Sequence, residues 1–339
     1  GVDSVNDIEV TAPYYWNIAP NRDATFSPSV MSKRGIDMGA EFRFLEEDYK
    51  GEFRGNFMPG DKLRDMNRWG YSLTESGTLR TGLASVGNLG MSLSLNRVSD
   101  DNYWRDFTRV SPGLTQRLLP NDLSLSWSRG YFSTSLRMLK WQTLQDVTSP
   151  IVPPYDRMPQ LAMRYARSNL NGFDMSVDAD ATRFNSDSTL TGQPNGSRMY
   201  TAFEVSRPWV SPSGFITPKL RLHATNYQFN SALSTGAMSA SRVLPTLSLD
   251  SGLVFERDTQ FFGRTFRQTL EPRAFYVLTP YRSQNALPNY DSGRSDFNFA
   301  SIYTENAFVG NDRISDSNTL TMGVSTRLLD PESGAEAAN

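Results

Sequence analysis

The chain has 339 residues, of which 38% are hydrophobic, 21% charged and 12% aromatic; 34 basic side chains face 36 acidic ones, for a net charge of −2. That balance excludes a long basic nucleic-acid footprint and an acidic solvating tail, so no nucleic-acid partner is expected. With no cysteine and one histidine, His223, the composition also excludes a disulfide scaffold, a thiolate metal site, a cysteine nucleophile and any site built from two histidines.

No run approaches the ~18 apolar residues of a transmembrane helix, which leaves a transmembrane β-barrel open, because a barrel strand shows lipid only every second side chain. The N-terminal segment reads "APYYWNIAPN" from Ala12 to Asn21 and then "DATFSP" from Asp23 to Pro28. Proline cannot donate to a ladder. Pro13 and Pro28 therefore weaken pairing in or beside the first two strands, and in a closed barrel such a seam is either a structural accident or a gate.

Period-2 alternation then recurs. Ile36, Met38, Ala40, Phe42 and Phe44 alternate with Asp37, Gly39, Glu41 and Arg43; Tyr49, Phe53 and Phe57 alternate with Lys50, Glu52, Arg54 and Asn56. Glu46, Glu47 and Asp48 read as the turn between them, which makes a hairpin. Further strands are expected at Leu89–Leu95, Leu123–Trp127, Leu161–Tyr165, Phe173–Ala181, Phe266–Leu278 and Leu320–Leu328. Helical stripes are nearly absent, and the fold class is all-β and antiparallel.

Alternation also suits a soluble sandwich with one wet face. The segments here are long, about 9–13 residues, nearer to a tilted bilayer-crossing strand than to a soluble one. Aromatics near segment ends (Tyr14, Tyr15, Trp16, Trp69, Tyr71, Trp104, Trp209, Tyr281) fit interfacial girdles. The barrel is preferred. Polar connections are expected at Val147–Pro159, Asn185–Ser197, Asn230–Ser241 and Thr279–Ser295.

The sequence offers little covalent chemistry. Glu46–Asp48, Asp100–Asp101 and Asp174, Asp178 and Asp180 lack the spacing of a calcium loop and read as turns or a polar strand face. His223, in a strand-like run, reads as a lumen or surface residue. No phosphate loop, zincin signature or serine elbow appears, so neither catalytic residue, metal nor cofactor is expected. Arginine is favoured over lysine. A lumen handling a phosphorylated amphiphile would use guanidinium groups, and inward Arg43 and Arg54 are candidate phosphate contacts; ordinary lumen salt bridges explain them as well.

Three blocks carry a resemblance. "PYYWNIAPNRD" and "ATFSPSVMSKRG" span Pro13 to Gly35. "VFERD" at Val254–Asp258 is followed by "QTLEPRAFYVLTPYRSQ" at Gln268–Gln284. "NYDS" at Asn289–Ser292 precedes "NDRISDSNTLTMGVSTRLLD" at Asn311–Asp330. In this order they closely resemble the barrel of the lipopolysaccharide-assembly family LptD, also called organic solvent tolerance protein. The resemblance implies an outer-membrane barrel that inserts lipopolysaccharide into the outer leaflet without covalent chemistry, hence no enzyme. It further implies the lipoprotein LptE as lumen plug, the periplasmic bridge protein LptA reached through a preceding domain, and the BAM complex for assembly. The resemblance implies a lateral gate between the first and last strands; the family's seam prolines map onto Pro13 and Pro28 on its first-strand side, with Phe26 and Val30 beside them, and its partner strand is expected beyond this sequence. The resemblance also implies that residues 1–12 end a periplasmic jellyroll, and that residues 13–339 are the first half or more of the barrel, cut before its closing strands. Two other readings remain: a passive porin-type channel and an extracellular β-sandwich hydrolase.

Overall fold

The structure is a computed structural model that describes residues 2–3, 7–107, 113–294 and 301–339. It divides into two compact units: Gly1–Ala162 with Ala181–Ser197 and Phe229–Ser231, and Met163–Asp180 with Arg198–Gln228 and Ala232–Asn339.

The chain runs through β1 (Val2–Asp3), β2 (Asp7–Thr11), β3 (Tyr14–Ala19), β4 (Arg22–Met31), β5 (Gly35–Leu45), β6 (Tyr49–Asp61), β7 (Met66–Arg80), β8 (Asn88–Val98), α1 (Tyr103–Asp106), β9 (Leu118–Arg129) and β10 (Phe132–Thr143). In the first unit each strand from β4 to β10 pairs antiparallel with the next. Then follow β11 (Asp156–Leu170), β12 (Phe173–Asn185), α2 (Ser188–Thr191) and β13 (Gly196–Ser206). After them come β14 (Trp209–Ser211), β15 (Gly214–Phe229), β16 (Ser239–Leu253), β17 (Phe255–Phe261), β18 (Arg264–Thr279), β19 (Gly293–Arg294), β20 (Phe308–Val309), β21 (Ser317–Leu329) and β22 (Glu336–Ala338). In the second unit β14 pairs with β15, β15 with β16, β16 and β17 with β18, and β18 with β21, all antiparallel.

The alternation sets the faces. Between β5 and β6, Met38 faces Phe57 and Phe42 faces Phe53, whereas Glu41 faces Arg54 and Arg43 faces Glu52. Glu46 N–H closes the turn on Tyr49 O at 2.7 Å, as the acidic triplet predicts. In the second unit Tyr276 faces Leu320 and Ala274 faces Met322, with Glu271 opposite Ser325 on the other side.

The apolar face is the exposed one. Phe26, Val30, Met38 and Phe57 in the first unit, and Leu253, Leu320 and Met322 in the second, are each more than 40% exposed. Meanwhile Arg34, Arg68, Arg198 and Asp312 are almost fully buried. Water would penalise such a distribution at about 25 cal/mol per Å² of apolar surface, and lipid would not. The soluble sandwich fails on this point.

Two expectations need correction. The proline-bearing connection from Val147 ends at Tyr155, because β11 begins at Asp156 and contains Pro159. A strand tolerates a proline where its missing N–H is not needed. Trp104 leaves the interfacial set: it sits on α1, packed against the buried cluster of Met31, Met58, Tyr103 and Phe107. The connection expected to end at Ser295, and part of the expected 1–12 domain end, fall outside the described residues.

Candidate functional site: a proline-gapped seam and an ion-paired polar face

In the first unit β2 and β3 form one strand interrupted at Ala12–Pro13. Thr11 is opposite Ser29 and Tyr14 is opposite Phe26, both on β4. In that register Pro28 lies across from the interruption. Ala12 N–H donates to Pro28 O at 3.0 Å, but neither proline can donate in return. Pro28 thus leaves the Ala12 carbonyl without a return bond, and Pro13 breaks the β2–β3 strand at the same level. Thr11 and Ser29 hydroxyls meet at 2.7 Å just before it. Phe26 and Val30 flank Pro28 on the exposed apolar face, with Tyr14, Tyr15 and Trp16 also exposed on β3. All four residues singled out from sequence at this seam are therefore neighbours.

Arg43 and Arg54 stand on the opposite, polar face. Arg43 grips Asp23 in a fork, Nε to Oδ1 at 2.8 Å and Nη2 to Oδ2 at 2.6 Å. Arg54 bonds Glu52 and approaches Glu41 at 3.7 Å. Arg22 with Glu46 and Arg80 with Asp48 continue the pattern at the strand ends. Both candidate phosphate contacts thus already hold a carboxylate, and a phosphate would have to share them.

The deepest electrostatics lie elsewhere. In the first unit Arg34, in the turn after β4, bonds Asp61 at 2.7 Å, and Arg68 on β7 bonds the same Asp61 oxygen at 2.8 Å. Asp106 on α1 takes Arg68 at 3.0 Å and Arg64 at 2.9 Å, while Asp100 takes Arg68 Nε at 2.7 Å. Phe107 lies under both guanidinium groups, 5.5 Å from that of Arg34 and 4.8 Å from that of Arg68. Burial opposes the Asp106 charge, yet the Arg64 hydrogen bond and the Arg34 and Arg68 charges hold its carboxyl below the usual carboxylate range.

In the second unit Arg198 on β13 bonds Asp291 at 2.8 Å and Asp312 at 3.1 Å, both in the connection between β18 and β21. Asp312 also accepts from Tyr227 OH at 2.6 Å and from the Tyr290 and Asp291 amides at 2.6 and 2.8 Å. Arg242 on β16 donates to Asp312 O at 2.6 Å and Asn311 O at 3.0 Å. Burial opposes the Asp291 charge, but the Arg198 guanidinium holds this carboxyl down at about 2. Burial, joined by the Asp291 charge and opposed by Arg198, pushes Asp312 up.

Neither network is marked by alternation, since an Asp in a turn reads as solvated. The one available signal is that Arg34, Asp291 and Asp312 lie inside the family-like blocks. His223 is buried on β15, its Nδ1 2.9 Å from Tyr200 OH. The acidic clusters pair: Asp178 with Arg164 at 2.7 Å and Asp174 with the Asn169 amide at 2.8 Å. Among the described residues no group of acids and histidines has a metal-binding arrangement.

Long antiparallel strands, an apolar exposed face and a charged, ion-paired face define the transmembrane β-barrel class. The profile of the family described as "LPS transport system D", LptD, matches residues 12–339, and the chain belongs to that family. The "LPS-assembly protein LptD" of Albidiferax ferrireducens is 65% identical over 342 residues, spanning 100% of this chain and 43% of the relative. That of a Polaromonas species is 61% identical, spanning 99% and 42%. The chain thus covers less than half the length of these curated relatives. Among solved structures, a bacterial polysaccharide outer membrane secretin aligns at a TM-score of 0.30 and 9% identity over 79% of this chain and 83% of its own, too loosely to carry an argument.

Proposed function

We propose that this chain is part of an outer-membrane barrel that assembles lipopolysaccharide into the outer leaflet, and that the lipid leaves sideways through a lateral gate beside the first strands, where Pro13 and Pro28 weaken β2–β4 pairing. The observation that carries this reading is Pro28 set across from the strand break at Ala12–Pro13, where one return bond is missing, in a chain whose curated relatives are named LPS-assembly proteins. In lipid each unmade backbone hydrogen bond is expensive, so a ladder that already lacks the Pro28 donor opens at lower cost than a continuous one. Export of this kind needs no covalent step, and the protein acts as a translocon rather than an enzyme. Its expected partners are the LptE plug in the lumen, LptA through a preceding periplasmic domain, and the BAM complex during assembly. Arg43 and Arg54 would offer lipid phosphates a guanidinium only by loosening their carboxylate pairs.

A photoreactive residue at Phe26 or Val30 of the full-length protein in cells tests the seam. Lipopolysaccharide adducts at these positions are expected. Their absence with small-solute conductance intact would favour a porin instead. Replacing Pro13 and Pro28 together by alanine should impair export while the barrel still assembles; undiminished export refutes the gate.

A further inference from the structure

The second unit carries a groove of about 1080 Å³ across β14, β15, β16, β18 and β21, well away in sequence from the proline seam. Trp209, Ile216, Leu253, Met322 and Val324 wall it, and the register sets Ile216 beside Ser251, and Ala274 beside Met322, on the apolar face. Small side chains between large ones leave a depression that surrounding bilayer has to fill, because a void in lipid forfeits contacts on one side. At its rim stands Arg207. Its guanidinium lies 5.0 Å from the Phe173 ring and 5.4 Å from the Trp209 ring, and it donates to Asn171 O. Gly172, at φ +86°, makes room for it, since a Cβ there would strike the guanidinium. Among the described residues Arg207 has no carboxylate partner, unlike Arg43, Arg54 or Arg198.

We infer that this groove holds one glycerophospholipid, its acyl chain along the floor and its phosphate on Arg207. A stacked arginine with open donors matches a phosphate in charge and geometry, and an aromatic pair belongs at the headgroup level. The choice of phospholipid over lipopolysaccharide follows from the turns. Asn171–Gly172, Pro212–Ser213 and Phe262–Gly263 at this end are two residues long, whereas the far end of β18 and β21 carries the connection 280–316. Short turns face the periplasm in bacterial barrels, and the leaflet on that side is phospholipid. The inference rests on reading the chain as an outer-membrane barrel.

The test uses the full-length protein reconstituted into phosphatidylethanolamine vesicles doped with a diazirine-acyl phosphatidylethanolamine, with adducts mapped by peptide. Label should concentrate on Trp209, Ile216, Leu253 and Met322. Arg207→Gln should lower it about fivefold, the weight of one cation near a lipid headgroup, while Arg257→Gln leaves it unchanged. Ala274→Trp, which fills the floor, should abolish it; Arg207→Gln lies outside the strands and covers the case in which Ala274→Trp fails to fold. Label spread evenly over the apolar face, label indifferent to Arg207→Gln, or label displaced by equimolar lipopolysaccharide would each overturn the proposal. Protein that fails to float with the vesicles would refute the barrel reading itself, whereas protein that floats with undirected label refutes only the groove.

Discussion

The two buried arginine–aspartate networks use the same chemistry and close over very different lengths of chain. In the first unit Arg68 meets Asp61 seven residues away, and Arg34 meets it across 27. In the second, Arg198 meets Asp291 across 93 residues and Asp312 across 114. The first can assemble once the β6–β7 hairpin has formed and α1 has docked. The second needs β13, β15, β16 and β18 in place before its acids arrive. Loop closure adds only about 0.6 kcal/mol per doubling of length, so the difference bears on order of assembly more than on final stability. The means of holding the acids differ too. Aromatic rings support the first network, whereas backbone amides and Tyr227 fill the Asp312 carboxylate. One network fastens turns to their neighbours, and the other fastens a long connection onto strands formed much earlier in the chain.

Removing one acid from each breaks that comparison most sharply. Asp61→Ala and Asp312→Ala each take one carboxylate from buried guanidinium groups that keep others, a loss of up to about 3–5 kcal/mol. The Asp312 variant should be the worse. It strands the Tyr227 hydroxyl and two amides and takes one of the carboxylates from Arg198, whereas Asp61 serves Arg34, Arg68 and the Leu63 amide. Native-state hydrogen exchange in detergent should find protection lost in the 284–292 segment for Asp312→Ala and near residues 61–68 for Asp61→Ala. Loss spread equally over both units in either variant would contradict two separate networks.

How much of this the sequence discloses depends on range. The β5–β6 hairpin, β12 and β21 are legible because a lipid-facing strand must alternate, and their registers follow from that pattern. β7 is less so, since Glu75 and Gly77 interrupt its apolar face opposite Gly51 and Tyr49. The seam is legible too, because a proline's missing donor is a property of the residue itself. The buried networks are not. Asp61 and Arg68 look like two solvated charges around a turn, and only contact between segments tens of residues apart takes them out of water. The family-like blocks contained Asp291 and Asp312, but nothing local said that a single arginine on β13 would join them.

Acid should separate the networks by a smaller margin. Asp106 sits below its ordinary 3.8, so its share of stability is complete above that pH and is lost as the pH falls beneath it. Asp291 behaves likewise, losing its share between 3.8 and about 2. Asp312 is raised, so its protonated form is favoured by folding; its contribution is full below 3.8 and is lost as the pH rises through its higher value. On acidification the second network therefore gains from one aspartate while it loses from the other, and the first only loses. Amide exchange at Tyr103–Phe107, corrected for its intrinsic rate, should accelerate below pH 3.8 before that at Tyr290 and Asp291. The reverse order would mean that Asp291, not Asp106, governs acid sensitivity.

The smallest effect belongs to the exposed rungs of the polar face, and it sharpens what burial contributes. Arg43 is 55% exposed while its partner Asp23 is 21% exposed. Water screens such a pair, and its loss should change stability little despite the forked geometry. Arg43→Gln is accordingly expected to leave hydrogen-exchange protection of β4 and β5 nearly intact, in contrast to Asp61→Ala. That tolerance makes it a clean functional variant. If Arg43 also meets lipid phosphates, export of lipopolysaccharide should fall in Arg43→Gln with the strands undisturbed, and it should be restored in part by Arg43→Lys, which keeps the charge and gives up the fork. Equal export in all three would assign Arg43 to the Asp23 pair alone.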